Sequence, residues 1–454
     1  MTLLAFVLAL GLLVTVHEWG HFRMARACGV QVERFSIGFG PALLKWQRPA
    51  PDGSRTEFVL AAIPLGGYVK LLDSREEGVD PSRMRYALDQ QSLARRSAVV
   101  LAGPLANLGL AWVLYVIVLA VGQPIWEPRL AEPPEGSVAA EADLHSGEWV
   151  VAAGTREEHP RAIPSWQALR WWVMRQTPGE PFYLWVRTTP ESEPRRVRLE
   201  PQPESTSFPP QMAELGLVGP WSPAVIASVL PQGPAARAGL RAGDEVRWIE
   251  DSPIPDAARL REWIRASGKN AEPQAQSWRI YRPGSGTLTL VVQPERVREG
   301  ERAYGRVGAQ LGAAPQTSWL SYDLLDASWE ALRRCVEVTG LSLRMIAAMF
   351  TGEASLEHLS GPLTVADQAG RSMSVGWSAY FDFLALLSLS IAIFNLLPLP
   401  VLDGGHLLYY LYEFIVGRPP GEAGMRRMQQ FGMISLLALM GLALFNDFNR
   451  LWGG

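Results

Sequence analysis

Residues 97–122 contain no charged side chain. A helix of about 20 apolar residues covers the ~30 Å hydrocarbon core of a bilayer, so a run of this length restricts the chain to very few folds. Three more runs share the property: 3–16, which leads straight into His17; 377–402, interrupted only by Asp382; and 430–446, with Arg426, Arg427 and Arg450 at its flanks. The chain therefore reads as a polytopic α-helical membrane protein with four transmembrane helices, at 1–27, 97–122, 377–403 and 430–447. The first run lacks the basic n-region and small-residue cleavage site of a signal peptide, so it is expected to stay as a span.

Basic residues near span ends favour the cytoplasmic side. Arg23, Arg26, Arg95 and Arg96 flank the 28–96 connection, and Arg418, Arg426 and Arg427 lie in the 404–429 loop, which makes both cytoplasmic. The long segment between the second and third spans then lies on the opposite side. In a chain of 454 residues, 42 basic side chains are outnumbered by 45 acidic ones, which argues against nucleic acid as a partner. Cys28 and Cys335 are the only cysteines, too few for a disulfide framework.

The translocated segment carries an internal repeat. Residues 139–147 and 235–243 share the pattern Ala-Ala-x-Ala-x-Leu-x-x-Gly, followed by Ile163-Pro164 matching Ile254-Pro255 and Leu169-Arg170 matching Leu260-Arg261. Two tandem α/β domains are implied, at 123–205 and 212–313, with the Pro-rich 201–211 as linker. The run from Pro231 to Asp244 resembles PDZ domains, which bind extended peptides or C-termini by strand addition. By that resemblance Leu215, Gly216 and Leu217 would form the ligand-binding loop of the second copy. In 314–376, Leu325, Trp329, Leu332 and Val336 mark one face of an amphipathic helix, set either on the membrane surface or against the soluble domains.

His17-Glu18-Trp19-Gly20-His21 is an H-E-x-x-H motif at the end of the first span. Residues four apart share a helical face, so both imidazoles can reach one zinc ion, and Glu18 is left free as general base. Ionisable groups inside a span are costly and mark functional sites. Catalytic zinc needs a third protein ligand and an open position. Spacing alone leaves two candidates, Asp403 and His406, at the end of the third span.

Together with Asn395-Leu396-Leu397-Pro398-Leu399-Pro400-Val401-Leu402-Asp403-Gly404, this motif makes the chain resemble the site-2 intramembrane metalloproteases over nearly its whole length. The resemblance implies His17, His21 and Asp403 as zinc ligands, Glu18 as base and Asn395 as a holder of the substrate backbone. Ala102-Gly103-Pro104 with Asn107 matches the family's second-span pattern. Asp403 is preferred to His406 because the family's L-D-G motif supplies its ligand there, and because Gly404-Gly405 make an unbroken helix between the two doubtful.

The strand-like 35–41 and 58–71, bent at Gly66-Gly67, read as a plain cytoplasmic hairpin or, as the resemblance implies, as the family's re-entrant β-structure, which presents substrate to the zinc. The implied substrate is a single-pass transmembrane protein, an anti-sigma factor already shortened on the outer side, and the implied setting is envelope-stress signalling in the bacterial inner membrane, with the PDZ pair periplasmic and acting as a size filter. A non-catalytic PDZ scaffold with a structural metal site and a metal transporter are the alternatives. Structural zinc normally has four protein ligands, and transport favours ionisable residues across several spans.

Overall fold

The computed structural model describes residues 2–49, 54–75, 79–158, 160–202, 211–300, 302–351 and 361–452. Contacts divide the chain into a membrane unit, residues 1–123 with 321–454, and an outer unit, 124–320. In the membrane unit the helical segments Thr2–Ala27, Leu93–Val121, Trp377–Leu396 and Gly424–Asn449 are long and apolar enough to cross a bilayer.

The chain opens with α1 (Thr2–Ala27), β1 (Val32–Pro49), β2 (Arg55–Leu71) and α2 (Leu93–Val121). α1 and α2 approach closely because small residues face each other. A Cβ on Gly20 would collide with the Ala102 carbonyl and stand 2.8 Å from Ala106 Cβ. The β hairpin folds back on itself: Phe35 pairs with both Val69 and Phe58, and Ile37 with both Gly67 and Leu60, while Trp46 also pairs with Phe58. Gly38 and Gly40, with φ of 89° and 87°, supply the turn that this doubling needs. The stretch Gly67–Leu71 is thereby left as an outer edge, and Gly67 holds it against α1, since a Cβ there would sit 3.2 Å from Val14 and 3.3 Å from Glu18.

In the outer unit, β3 (Gln123–Trp126) leads into a first repeat of α3 (Val138–Glu141), β4 (Trp149–Gly154), β5 (Arg161–Ala162), α4 (Trp166–Val173), β6 (Phe182–Arg187) and β7 (Arg195–Leu199). The second repeat comprises β8 (Ile226–Val229), α5 (Pro234–Arg237), β9 (Glu245–Ile249), β10 (Ser252–Pro253), α6 (Ala257–Ser267), β11 (Gln276–Arg282) and β12 (Gly286–Val292). It continues through a hairpin, β13 (Glu295–Glu299) and β14 (Arg302–Arg306), to β15 (Ala309–Leu311), before β16 (Thr317–Leu320) pairs with β3. The two four-stranded sheets have the same order, β5-β4-β6-β7 and β10-β9-β11-β12. Equivalent residues cap the longer helices: Ser165 accepts from Ala168 N at 3.0 Å, and Asp256 from Arg259 N at 2.9 Å.

Leu215, Gly216 and Leu217 correct the sequence reading. They close the first repeat rather than opening the second: Leu215 and Leu217 are 1% and 2% exposed in its core, and Leu215 O accepts from Ala139 N at 2.9 Å. The second repeat is closed by its own copy of this segment, where Val307 O accepts from Ala235 N at 2.8 Å. Gly216 and Gly308 share a positive φ, 74° and 68°. Most of the proposed linker, 203–210, lies outside the described residues.

The chain returns to the membrane unit with α7 (Leu324–Thr351), α8 (Pro362–Val375), α9 (Trp377–Leu396), α10 (Asp403–Val416) and α11 (Glu422–Trp452). α7 packs through Ala327, Ala331 and Cys335, and Arg334 pairs with Asp382 of α9 at 2.9 Å. The apolar stripe instead faces outward: Leu325 is 83% exposed and Trp329 69%. In the 404–429 connection, α10 fills half of the length.

Candidate metal centre

α1 places His17 and His21 one turn apart, and α10 brings Asp403 to them across the bundle. His17 Nε2 stands 3.2 Å and His21 Nε2 3.4 Å from Asp403 Oδ2, and the two Nε2 atoms are 3.2 Å apart. Two ligands at 2.0–2.1 Å from a tetrahedral zinc are held roughly 3.3–3.4 Å from each other. The triangle of donor atoms therefore has the size zinc requires. Asp403 Oδ2 is buried and receives no well-aligned hydrogen bond among the described residues, as suits an oxygen reserved for a cation. His21 Nδ1 lies 2.9 Å from Val99 O, and donation there leaves Nε2 as the free lone pair. Gly103 completes the cradle, since a Cβ on it would collide with the His21 ring and approach His17 Cε1 to 2.9 Å. His17, His21 and Asp403 are the one such cluster of potential ligands among the described residues.

These groups line a cavity of about 580 Å³ shared with Glu18, Val69, Asn395 and His406. The Val69 backbone N–H faces the Glu18 carboxylate, so the edge of β2 and the H-E-x-x-H helix meet at this point. Asn395 borders the cavity while its Nδ2 donates to Ile391 O of its own helix at 3.0 Å. Gly66 has φ 110° and lies against the Phe39 ring, where a side chain would not fit. His406 is in the cavity wall but outside the donor triangle, edge-on to Tyr409 at 6.0 Å between ring centroids. Burial holds its imidazole below the ordinary value.

The argument from Gly404 and Gly405 against a continuous helix is overturned. α10 runs unbroken from Asp403 through both glycines and His406. The glycines serve close approach: a Cβ on Gly405 would lie 2.6 Å from Pro400 Cα, and one on Gly404 2.6 Å from the Leu396 carbonyl carbon. Their smallness tucks the start of α10 under the turn that ends α9. At the mouth of the cavity Arg96 of α2 pairs with Glu413 of α10, Nη2 to Oε1 at 2.6 Å, a link between these helices with no motif to announce it.

The sequence pattern of peptidase family M50 matches residues 5–439. The chain belongs to that family, the site-2 proteases. It is 40% identical over 465 residues to a protein of Ralstonia nicotianae whose name marks it as a zinc metalloprotease, covering 100% of this chain and 99% of the relative. It is 38% identical over 460 residues to the regulator of sigma-E protease RseP of Escherichia coli, covering 99% and 98%. Protease RseP of Yersinia pestis is 36% identical over 465 residues, with 99% of each chain covered. The protein is thus a multi-pass membrane zinc metalloprotease of regulated intramembrane proteolysis, which removes the scaffold and transporter alternatives.

Proposed function

We propose that this protease hydrolyses a peptide bond within a transmembrane segment of a single-pass protein, with His17, His21 and Asp403 holding the zinc. The observation that carries the reading is the donor triangle facing one cavity with Glu18 and the edge of β2 at Val69. A zinc ion held by His17, His21 and Asp403 would supply Lewis acidity, polarising a carbonyl and lowering the pKa of a bound water. Glu18 takes the proton of the attacking water on its carboxylate and passes it to the leaving amine. A substrate helix hides its own amides, so it has to unwind first. Gly66 and Gly67 keep the Gly67–Leu71 edge clear of side chains at its start, and an unwound segment adds to that edge as one more strand. Asn395, released from Ile391 O, holds the next stretch of substrate backbone.

The two repeats of the outer unit are read as PDZ-like domains, from the repeated helix caps and sheet order. Their peptide or C-terminal ligand is set by strand addition. The relatives named for sigma-E regulation support a role in signalling of that kind; the substrate is taken to be an anti-sigma factor already shortened outside, with the enzyme in the bacterial inner membrane and the outer unit periplasmic. The outward apolar stripe of α7 then meets lipid.

Glu18→Gln should abolish cleavage, a loss of about 10²- to 10⁴-fold or more, while zinc stays bound at wild-type stoichiometry. Metal analysis beside cleavage of a model transmembrane substrate checks both halves, and appreciable turnover removes Glu18 as base. Replacing 124–320 by a flexible linker should preserve hydrolysis of a pre-shortened substrate and extend it to substrates with an intact outer domain. Selectivity unchanged in that variant would end the size-filter reading.

A further inference from the structure

A neutral imidazole that gives Nε2 to a metal carries its proton on Nδ1, and a buried N–H there needs an acceptor. For His21 that acceptor is Val99 O. For His17 the group at Nδ1 is the Asn107 side-chain amide, whose Nδ2 stands at 3.5 Å. Asn107 is fully buried in α2, yet its Oδ1 has no hydrogen-bond partner among the described residues. So a donor faces the ring nitrogen that has to donate, and the acceptor of the same amide is idle. The oxygen and nitrogen of an amide exchange places by a half-turn, and the hydrogen-bond network decides between them.

We propose that Asn107 is a positioning residue of the metal centre: with its amide turned, Oδ1 accepts the Nδ1–H of His17 and fixes the tautomer and ring plane that present Nε2 to zinc. The backbone of Asn107 is held independently, since its carbonyl accepts from Ser388 Oγ of α9 at 2.8 Å. The side chain is therefore free to serve the ring. A polar residue buried between apolar spans is costly unless it is used, and this use accounts for it.

The test is zinc affinity of the purified full chain, by competition with a chromogenic chelator, together with the visible bands of the cobalt(II)-loaded protein. Asn107→Ala should weaken zinc about 10- to 100-fold and shift the cobalt bands. Asn107→Asp, which keeps size and offers an acceptor, should bind zinc at least as tightly as wild type. Ser388→Ala should leave the affinity unchanged. Wild-type affinity in Asn107→Ala overturns the proposal, as does a loss in Asn107→Asp, which decides the matter even if the alanine variant fails to fold. An equal loss in Ser388→Ala would shift the effect to the backbone and overturn it too. The proposal rests on the ligand reading above: retained zinc in His17→Ala and His21→Ala breaks that reading, whereas their loss of zinc with Asn107→Ala unaffected breaks this proposal alone.

Discussion

Glu148 and Asp244 stand at equivalent places in the two outer repeats, each just after the shared glycine, and each is buried at 4% and 1% exposure. Glu148 accepts from His145 N at 3.0 Å and pairs with Arg195 at 3.0 Å; Asp244 accepts from Arg241 N at 2.8 Å and pairs with Arg282 at 2.7 Å. The arginine comes from β7 in one repeat and β11 in the other, so the same need is met from different strands. Asp403 in the membrane unit is also largely buried, but its Oδ2 faces two imidazole nitrogens and no aligned donor. A buried acid with its full set of partners holds a turn together, and one left short of them is kept for something else. What sets Asp403 apart is that the groups facing its free oxygen are two potential metal ligands.

Substitution at Asp403 should break that contrast most sharply. Asp403→Ala is expected to lose most bound zinc and all measurable cleavage with the membrane unit still folded, whereas His406→Ala keeps zinc and part of the activity. Metal content at matched expression ranks the two, and the reverse ranking would make His406 the third ligand. A smaller effect is expected where the acid is satisfied. Asp256, fully buried, caps α6 and accepts from Glu132 N at 2.6 Å and from Ser146 Oγ, tying the second repeat to the first. Asp256→Ala should cost about 1–2 kcal/mol for the cap alone and lower the melting temperature of the outer unit, with hydrolysis of a pre-shortened substrate unchanged.

The smallest effect is one of pH. Burial would raise the Asp244 carboxyl, but Arg282 and the Arg241 N–H outweigh it and hold the group below the ordinary carboxylate value. The stabilisation is therefore complete above the unfolded value of about 3.9 and is lost as pH falls through the lower folded one. Melting of the full chain followed between neutral and acid pH should show a step that Asp244→Asn lacks.

The H-E-x-x-H pair was legible because four residues make one helical turn, which no tertiary context needs to supply. Asp403 was legible as part of a motif but not as geometry, since its approach depends on Gly404 and Gly405 fitting under the end of α9. Propensity treats those glycines as helix breakers, and close packing used them otherwise. Leu215 and Leu217 were assigned to the wrong repeat because a segment that closes a domain from its C-terminal end looks, in sequence, like the beginning of the next. The stripe on α7 was sound as a periodicity, but in lipid the large apolar face turns outward and small residues pack. Asn107 did carry a signal, an amide in an uncharged span, and its use was visible only once His17 stood beside it.

One contact in the membrane unit also bears on the order in which the enzyme is made. Asp447 of α11 accepts from Gly361 N at 3.0 Å and Leu363 N at 2.9 Å, capping the start of α8, which in turn packs against Thr2 at the start of α1. Asp447 follows Gly361 by 86 residues, which a ribosome adding about 5–20 residues per second takes about 4–17 s to deliver. During that interval α1, with its histidines already in place, has a neighbour whose first turn is uncapped. The first turn of α8 is thus capped only when almost the whole chain has been made, so the packing of α8 is completed last.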